Sequence, residues 1–489
     1  MTHHFYLSRI MAKFLLVLII VTVNGTAYSL NINKEKKLTA CQLFSDHVIL
    51  QQKAKVNIWG SSTPGQKVNV SGSWGKRASA ITGANGKWNL KIKTPQAGGP
   101  YSIVIVAAGQ TIDIKDVLIG EVWLASGQSN MDIPLKGWPP GDTIFNSAQE
   151  ISNAEYSSIR FMKIPFKIST IPLGSVDGKW ISSSPQTAGD FSATAYFYAK
   201  ALYKKLHVPI GIIQSSIGGT PVEAWTSKGY LSKMIDFNKI IEEQETQNTN
   251  TTKINSNSPT VLFNGMINPV VQYTIKGIIW YQGESNVGRA EQYKRLFPNL
   301  IKDWRNQWGE ELPFYYVQIA PYIYEAVDQH EQGQKLRDAQ RYGLYLHHTG
   351  MVSTLDVGYL RTAHPPYKQQ VGERLALFAL KNQYGEKSLV ASGPLFKKAI
   401  ISGKEINIEF ESVGGGLVSS ANGLNNFEIA GADKIYVKAD AKIVENKVVV
   451  SNASVINPFY VRYAWSDESI GTLFNKEGLP AATFTSEDQ

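Results

Sequence analysis

Cysteine is nearly absent from this chain of 489 residues, which contains one, Cys41. A single thiol excludes an intrachain disulfide. The residues before it, LTAC at 38–41, superficially resemble a lipoprotein cleavage box, but the charged segment KEKK at 34–37 separates them from the nearest apolar run. We therefore interpret Cys41 as a buried structural thiol.

The chain also lacks a long run of lysine and arginine, although its formal net charge is +9. A protein that binds nucleic acid would concentrate its positive charge on a patch or stripe. The dispersed charge predicts a solvated basic surface and no nucleic-acid partner.

Two catalytic signatures are missing. No HExxH or other paired histidine pattern occurs, which argues against a metal site, so we predict neither a metal nor another cofactor. No G-x-S-x-G elbow occurs either, so the usual α/β-hydrolase signature is absent. A catalytic site in this chain must therefore be sought in residues outside these two signatures.

Only one long apolar run is present, FLLVLIIVTV at 14–23, with Arg9 and Lys13 before it and AYS at 27–29 after it. This arrangement predicts a secretory signal peptide over 1–29, too short for a comfortable membrane span. We expect a soluble mature protein that is secreted or periplasmic and has no membrane contact after signal cleavage.

The spacing of apolar runs predicts three domains. Residues 30–112 contain short alternating runs between turn signals, which indicates a β-sandwich. Residues 113–388 alternate nearly continuous apolar strands with helical patterns, which indicates a parallel sheet buried on both faces. Residues 389–489 return to short β runs and predict a second β domain.

Ligands of open parallel sheets bind beyond the carboxyl ends of the strands. Ser129 follows the first such strand, where it could expose its hydroxyl, although a helix-capping role is favoured on spacing alone. Gly218 and Gly219 follow the second, where they could offer backbone N–H groups or form a plain turn. After the third, Gln282 can donate an amide N–H, whereas an ionised Glu284 can only accept.

The chain contains 8 histidines, and His364 alone is predicted to follow the carboxyl end of a sheet strand. Together these positions supply a hydroxyl, several N–H donors and an imidazole. That is the minimum set for acyl transfer through a serine ester.

Four segments resemble the sialate O-acetylesterase-like branch of the SGNH hydrolases, and the likeness extends over nearly all of the mature chain. The segments are GQSNM at 127–131, GGTPVEAW at 218–225, WYQGESN at 280–286 and HPPYKQQVGERLA at 364–376. The resemblance implies an α/β fold, with a flavodoxin-like three-layer α/β/α SGNH hydrolase domain and β-sandwich-like domains on either side. It also implies metal-free removal of acetyl groups from sugar hydroxyls.

By position, the resemblance makes Ser129 the nucleophile and His364 the base. The backbone N–H groups of Ser129 and Gly218 and the amide of Gln282 match the oxyanion hole, with Gly219 as a fallback donor. Substrate-binding roles are predicted for three further residues, Asn130, Trp225 and Arg361.

Thr362 departs from the family pattern, in which many members have aspartate two residues before the histidine. Three explanations remain open. His364 could work in a Ser–His dyad with its second nitrogen on a backbone carbonyl, which we favour; Asp356 or Glu284 could supply the carboxylate; or activity could be lost, leaving a glycan-binding protein.

The predicted substrate is an O-acetylated sialic acid, most simply the 9-O-acetyl form, whose carboxylate Arg361 could hold bidentately. A salt bridge from Arg361 to Asp356 is at least as probable on sequence grounds. Acetylated xylan or xyloglucan is the alternative substrate class. The sequence does not indicate the oligomeric state.

Overall fold

The computed structural model describes residues 36–246, 254–324 and 331–488. The predicted signal peptide at 1–29 lies outside these ranges. Within them, no helix combines the length and apolar character that a membrane span requires.

The first part of the chain is built from strands alone. These are β1 (Thr39–Ala40), β2 (Ile49–Gln51), β3 (Lys55–Ser61), β4 (Lys67–Gly72), β5 (Lys76–Ile81), β6 (Lys87–Lys93), β7 (Gly98–Ala107) and β8 (Gln110–Gly127). β1, β3 and β6 form one antiparallel sheet. Alternate residues of β6 are buried, as expected for a strand with one face on a core.

β8 joins this part to the rest of the molecule. Its first half pairs with β7, and its second half continues from Glu121 into the central sheet. The predicted boundary between residues 112 and 113 therefore falls inside one continuous strand. A change of composition along a strand does not interrupt its backbone hydrogen bonding. The change in sequence pattern therefore does not coincide with the end of a strand.

The central sheet adds β9 (Tyr156–Lys163), β10 (Trp180–Ser183), β11 (Ile210–Ser216), β12 (Gly277–Tyr281), β13 (Phe314–Val317) and β14 (Thr349–Val352). Its order is β10-β9-β11-β8-β12-β13-β14. All neighbours are parallel except β10 and β9. The strands are nearly all buried, so the predicted mixed α/β class is confirmed.

Both faces of this sheet are covered. The α-helices are α1 (Ser129–Asp132), α2 (Ser147–Ser152), α3 (Ala193–Leu206), α4 (Lys228–Leu231), α5 (Ile235–Thr246), α6 (Ala290–Trp308), α7 (Gly333–Gln340) and α8 (Lys368–Gln383). On β8, Trp123 and Ala125 join the core that contains α3 and α8. Val122 and Leu124 face the other way, into the core that contains α6. This period of two sends alternate side chains to opposite faces.

The strand register aligns three carboxyl ends. Gly127, the last residue of β8, pairs with Ser216 of β11 on one side and with Tyr281 of β12 on the other. The loops that follow these strands therefore leave the sheet at one level, side by side.

The remaining chain is β-rich, as predicted. Its strands are β15 (Leu395–Ser402), β16 (Glu405–Glu411), β17 (Leu417–Ser419), β18 (Phe427–Ala430), β19 (Val437–Lys438), β20 (Asp440–Val444), β21 (Lys447–Ser451), β22 (Tyr460–Tyr463), β23 (Leu473–Asn475) and β24 (Phe484–Thr485). They form three antiparallel sheets around a separate apolar core. The buried Arg337 of α7 donates to Thr483 and to the carbonyl of Ser466, which ties this part to the central one.

Candidate active site

Ser129 begins α1 two residues after β8 ends, and Gly127 makes this tight exit possible. Gly127 has φ 139°. A Cβ atom there would lie 2.1 Å from the carbonyl oxygen of Tyr281, so no other residue fits without moving the backbone. Ser129 is held at the carboxyl edge of the sheet and is largely buried, with 7% of its surface exposed.

Gly218 lies directly against the serine. A Cβ atom built on Gly218 would be 3.4 Å from Ser129 Cβ. Gly219 follows with φ 69°, a left-handed turn that favours glycine. In the part of the chain that the structure describes, no hydrogen bond engages the backbone N–H of Ser129, Gly218 or Gly219. These three donors are free to receive a ligand oxygen.

Gln282 is placed differently from its predicted oxyanion role. The side chain is fully buried. Its Nε2 donates to Asn286 Oδ1 at 2.7 Å and to the carbonyl of Thr220 at 3.3 Å, and its Oε1 accepts from Tyr293. Both amide hydrogens have protein acceptors in this structure, so the side chain links Thr220 and Asn286 and holds no unengaged N–H for an oxyanion.

His364 lies in the loop between β14 and α8 and has a carboxylate partner. Its Nδ1 is 2.7 Å from Asp142 Oδ2. This contact replaces the backbone carbonyl that the predicted dyad required. The two side chains are about a quarter exposed, 24% for His364 and 22% for Asp142, so the pair opens towards solvent.

A small hairpin presents Asp142. Residues 137–142 read GWPPGD, and Trp138 and Asp142 exchange backbone hydrogen bonds of 2.8 and 3.1 Å across it. The indole of Trp138 meets the imidazole of His364 edge-on, with ring centroids 5.6 Å apart. The hairpin thus supplies both the carboxylate and a side wall for the imidazole.

Thr362 completes this arrangement. Its hydroxyl donates to Asp142 Oδ1 at 3.0 Å and accepts from the backbone N–H of His364 at 3.1 Å. Thr362 therefore occupies the position at which the resemblance predicts an aspartate. Its hydroxyl contacts Asp142, an aspartate from a different loop.

Neither carboxylate proposed from the sequence contacts the His364 ring nitrogen. Asp356 forms a bidentate pair with Arg374 of α8, with hydrogen bonds of 2.7 and 2.5 Å. Glu284 accepts a hydrogen bond from Asn130. Burial raises the pKa of Glu284, while the hydrogen bond from Asn130 and the charge of His364 oppose this shift.

Two residues predicted to bind substrate are core residues. Trp225 is fully buried, donates to Thr220 Oγ1 at 2.9 Å and packs edge-on against Trp280. Asn130 is also fully buried, and its amide donates to Glu284 and, at 2.8 Å, to the carbonyl of Ala363. Membership of a shared motif identified them, but motifs also contain the residues that hold a site together.

Arg361 is exposed, three residues before His364. The salt bridge to Asp356 that the sequence suggested does not form, because Asp356 is occupied by Arg374. Arg361 has no ion-pair partner among the described residues, so its guanidinium is available beside the histidine loop.

Asp142 is the site residue that the sequence did not reveal. It lies 222 positions from His364 and follows no strand of the sheet. The only local signal is the turn sequence GWPPGD, in which an acidic residue follows Trp and two prolines. Among the described residues, no group of three or more His, Cys, Asp or Glu is arranged to hold a metal ion.

Comparison with known proteins places this geometry in context. Residues 119–381 match the family described as carbohydrate esterase, sialic acid-specific acetylesterase. The matched range contains every residue of the site described above.

Individual relatives agree with this match. Sialate O-acetylesterase of Homo sapiens is 31% identical over 395 residues, which cover 73% of this chain and 73% of the relative. That of Mus musculus is 28% identical over 497 residues, covering 86% and 88%. A crystal structure of a carbohydrate acetylesterase from Xanthomonas citri is 34% identical, with a TM-score of 0.83, covering 92% of this chain and 100% of that one.

Proposed function

Because the chain belongs to the sialic acid-specific acetylesterase family of carbohydrate esterases, we propose that it removes O-acetyl groups from sialic acids with a triad of Ser129, His364 and Asp142. The observation that carries the proposal is the contact between His364 Nδ1 and Asp142. A carboxylate on Nδ1 fixes the tautomer that leaves Nε2 able to accept a proton.

In the first half-reaction, Ser129 Oγ attacks the acetyl carbonyl carbon while His364 Nε2 takes its proton. The tetrahedral intermediate then collapses: the bond to the sugar oxygen breaks, and His364 returns the proton to that oxygen. The sugar leaves with a free hydroxyl and Ser129 carries the acetyl group.

In the second half-reaction, His364 accepts a proton from water, and the water oxygen attacks the acetyl carbon. Collapse breaks the bond to Ser129 Oγ, which recovers the proton. Acetic acid is released and ionises to acetate and a proton in solution, so every atom is balanced without a cofactor. Asp142 accepts the hydrogen bond of Nδ1 and stabilises the imidazolium that forms twice in the cycle.

The oxyanion is assigned to the unengaged backbone N–H groups of Ser129, Gly218 and Gly219. Their closeness supports this, since a Cβ atom built on Gly218 would lie only 3.4 Å from Ser129 Cβ. A preorganised oxyanion donor contributes roughly 3 kcal/mol to transition-state stabilisation. Gln282 would contribute by keeping the Thr220 turn, and with it the glycine pair, in place.

The SGNH hydrolase topology, a flavodoxin-like α/β/α arrangement with flanking β-sandwich domains, is part of the same proposal. The parallel order of the central sheet and the helices on both of its faces support it. Secretion or a periplasmic location is proposed from the sequence pattern at 1–29 alone.

For the substrate, the exposed and unpaired Arg361 supports a sugar that carries a carboxylate, as sialic acid does. A guanidinium binds a carboxylate bidentately. An acetylated neutral polysaccharide is the second candidate, because the relative from Xanthomonas citri is named only as a carbohydrate acetylesterase and matches 92% of this chain.

Acetate release should be measured for the wild type and for S129A and H364A, with O-acetyl sialic acid and with acetylated xylo-oligosaccharides. We expect turnover of the sialic acid, faster than of the neutral oligosaccharide, and no turnover by either variant. Faster turnover of the neutral substrate would transfer the assignment to polysaccharide esters. Equal turnover by S129A would overturn the nucleophile.

A chromogenic acetyl ester separates both esterase proposals from a catalytically silent glycan-binding protein. Turnover that S129A abolishes supports an esterase. Absence of turnover by the folded wild type, together with measurable binding of acetylated sugar, would favour the silent protein.

A further inference from the structure

Lys368 is a fully buried lysine behind the candidate site. It is the first residue of α8, four positions after His364. Its Nζ donates to Asn130 Oδ1 and lies 5.4 Å from the centre of the Tyr281 ring. Among the described residues, no carboxylate forms an ion pair with it. A buried ammonium without a paired charge is costly, so its position calls for a role that an apolar side chain could not fill.

The hydrogen bonds of the neighbouring Asn130 side chain indicate the role of Lys368. Asn130 follows the nucleophile directly, and its Nδ2 donates both to Glu284 and to the carbonyl of Ala363 at 2.8 Å. Ala363 precedes His364. The Asn130 side chain is thus the hydrogen-bonded link between the serine turn and the histidine loop.

An amide side chain can rotate by 180° and exchange its oxygen and nitrogen. An ammonium can only donate hydrogen bonds, so Lys368 requires an oxygen and fixes the amide in one orientation. That orientation is the one that aims Nδ2 at Ala363. Glu284 and the Ala363 carbonyl favour the same orientation from the other side, so an apolar residue in place of Lys368 would leave the Asn130 amide held from that side alone.

We propose that Lys368 is a positioning residue of the esterase: it orients the Asn130 amide, which clamps the Ala363 carbonyl and so sets His364 against Ser129. The inference rests on the proposed function, since it concerns the geometry of the same reaction. Lys368 does not touch the substrate; it acts through Asn130.

The carboxylates near Lys368 favour its ammonium form, whereas burial opposes it. Burial lowers the pKa of Lys368 to about 7, while the charges of Glu284 and Asp142 oppose the shift. Glu284 also faces His364, and its Oε2 is buried without a hydrogen-bond partner. The charged groups around the lysine are therefore those that flank the imidazole.

The primary test is K368M with the chromogenic acetyl ester. We expect kcat to fall about 10- to 100-fold with KM nearly unchanged, because small displacements of a reacting group have effects of this size. K381M, at the other end of α8, is the matched control and should retain wild-type kcat. A folded K368M with wild-type kcat would overturn the proposal.

A double-mutant cycle asks whether Lys368 acts through Asn130. N130A alone should lower kcat, and adding K368M to N130A should cost less than about threefold more, since the amide to be oriented is gone. Losses that multiply fully in the double variant would refute action through Asn130. K368L, which also lacks a donor, replaces K368M in both experiments if the methionine variant fails to fold.

A crystal structure of K368M provides a readout that does not depend on turnover. We expect a longer Asn130–Ala363 distance and a displaced His364 ring, and an unchanged loop would overturn the inference. An inactive wild type with this displacement in K368M would count against the proposed reaction but not against the positioning. An active wild type with an unaffected K368M would support the proposed reaction and count against the positioning role of Lys368.

Discussion

His364 Nδ1 lies 2.7 Å from Asp142 Oδ2, although 222 positions separate the two residues in the chain. The carboxylate comes from a hairpin between β8 and β9, and the imidazole comes from the loop before α8. The Thr362 hydroxyl forms hydrogen bonds with Asp142 Oδ1 and with the backbone N–H of His364, so one side chain contacts both residues of the pair.

Asp142 should be essential for rate. D142N keeps the shape of the side chain but places an amide against Nδ1, which disfavours the productive tautomer of His364. We expect kcat to fall by about 10³- to 10⁴-fold with KM little changed. Initial rates with a chromogenic acetyl ester measure this.

The matched control is D356N, which removes the acidic residue that precedes His364 most closely along the chain. Asp356 pairs with Arg374, so D356N should lower the melting temperature while kcat stays within about threefold of wild type. The opposite pattern, an active D142N and an inactive D356N, would show that the loop rearranges in solution.

The positions of Ser129 and His364 after strands of the central sheet could be predicted because the apolar runs of those strands are visible in the sequence. Asp142 could not, because its position depends on how a turn packs across the sheet edge, and no local pattern encodes that contact. Gln282 and Trp225 belong to motifs from which we predicted site roles, but a motif does not indicate how exposed its residues are. Both side chains are buried. The change of composition that led to a predicted boundary between residues 112 and 113 lies within β8, because backbone hydrogen bonding continues where composition changes.

Thr362 should contribute through its hydroxyl. T362V removes the bonds to Asp142 Oδ1 and to the N–H of His364, and T362S retains them. Because one hydrogen bond contributes ~1 kcal/mol, we expect T362V to lose about fivefold or more in kcat/KM and T362S to stay near wild type.

Restoring the common family residue should be harmful here. T362D would place a second carboxylate where the hydroxyl now lies 3.0 Å from Asp142 Oδ1. Like charges at this distance repel, so we expect lower activity than in T362V. A gain in rate would instead mean that the introduced carboxylate takes over the role of Asp142, and the double variant T362D/D142N would then be active.

Arg361 should determine charge selectivity. R361M removes the only cation we assign to the substrate carboxylate, and charge-assisted hydrogen bonds contribute about 1.5–3 kcal/mol. We expect KM for O-acetyl sialic acid to rise about 10- to 100-fold, with kcat/KM for acetylated xylo-oligosaccharides unchanged. R77M on the exposed β5 is the control. Equal losses on both substrates would show that Arg361 supports the loop rather than the carboxylate.

The pH dependence of the free energy of unfolding should reflect the titration of Lys368. Its pKa is about 7 in the folded protein and ordinary, near 10.5, when unfolded. Between these values the unfolded chain binds more protons, so stability rises with pH. From pH 7 to 9 the wild type should gain about 2 kcal/mol relative to K368M. Melting temperatures at pH 7, 8 and 9 measure the difference, with K381M following the wild type. A gap that does not change with pH would mean that Lys368 is not a buried titrating group.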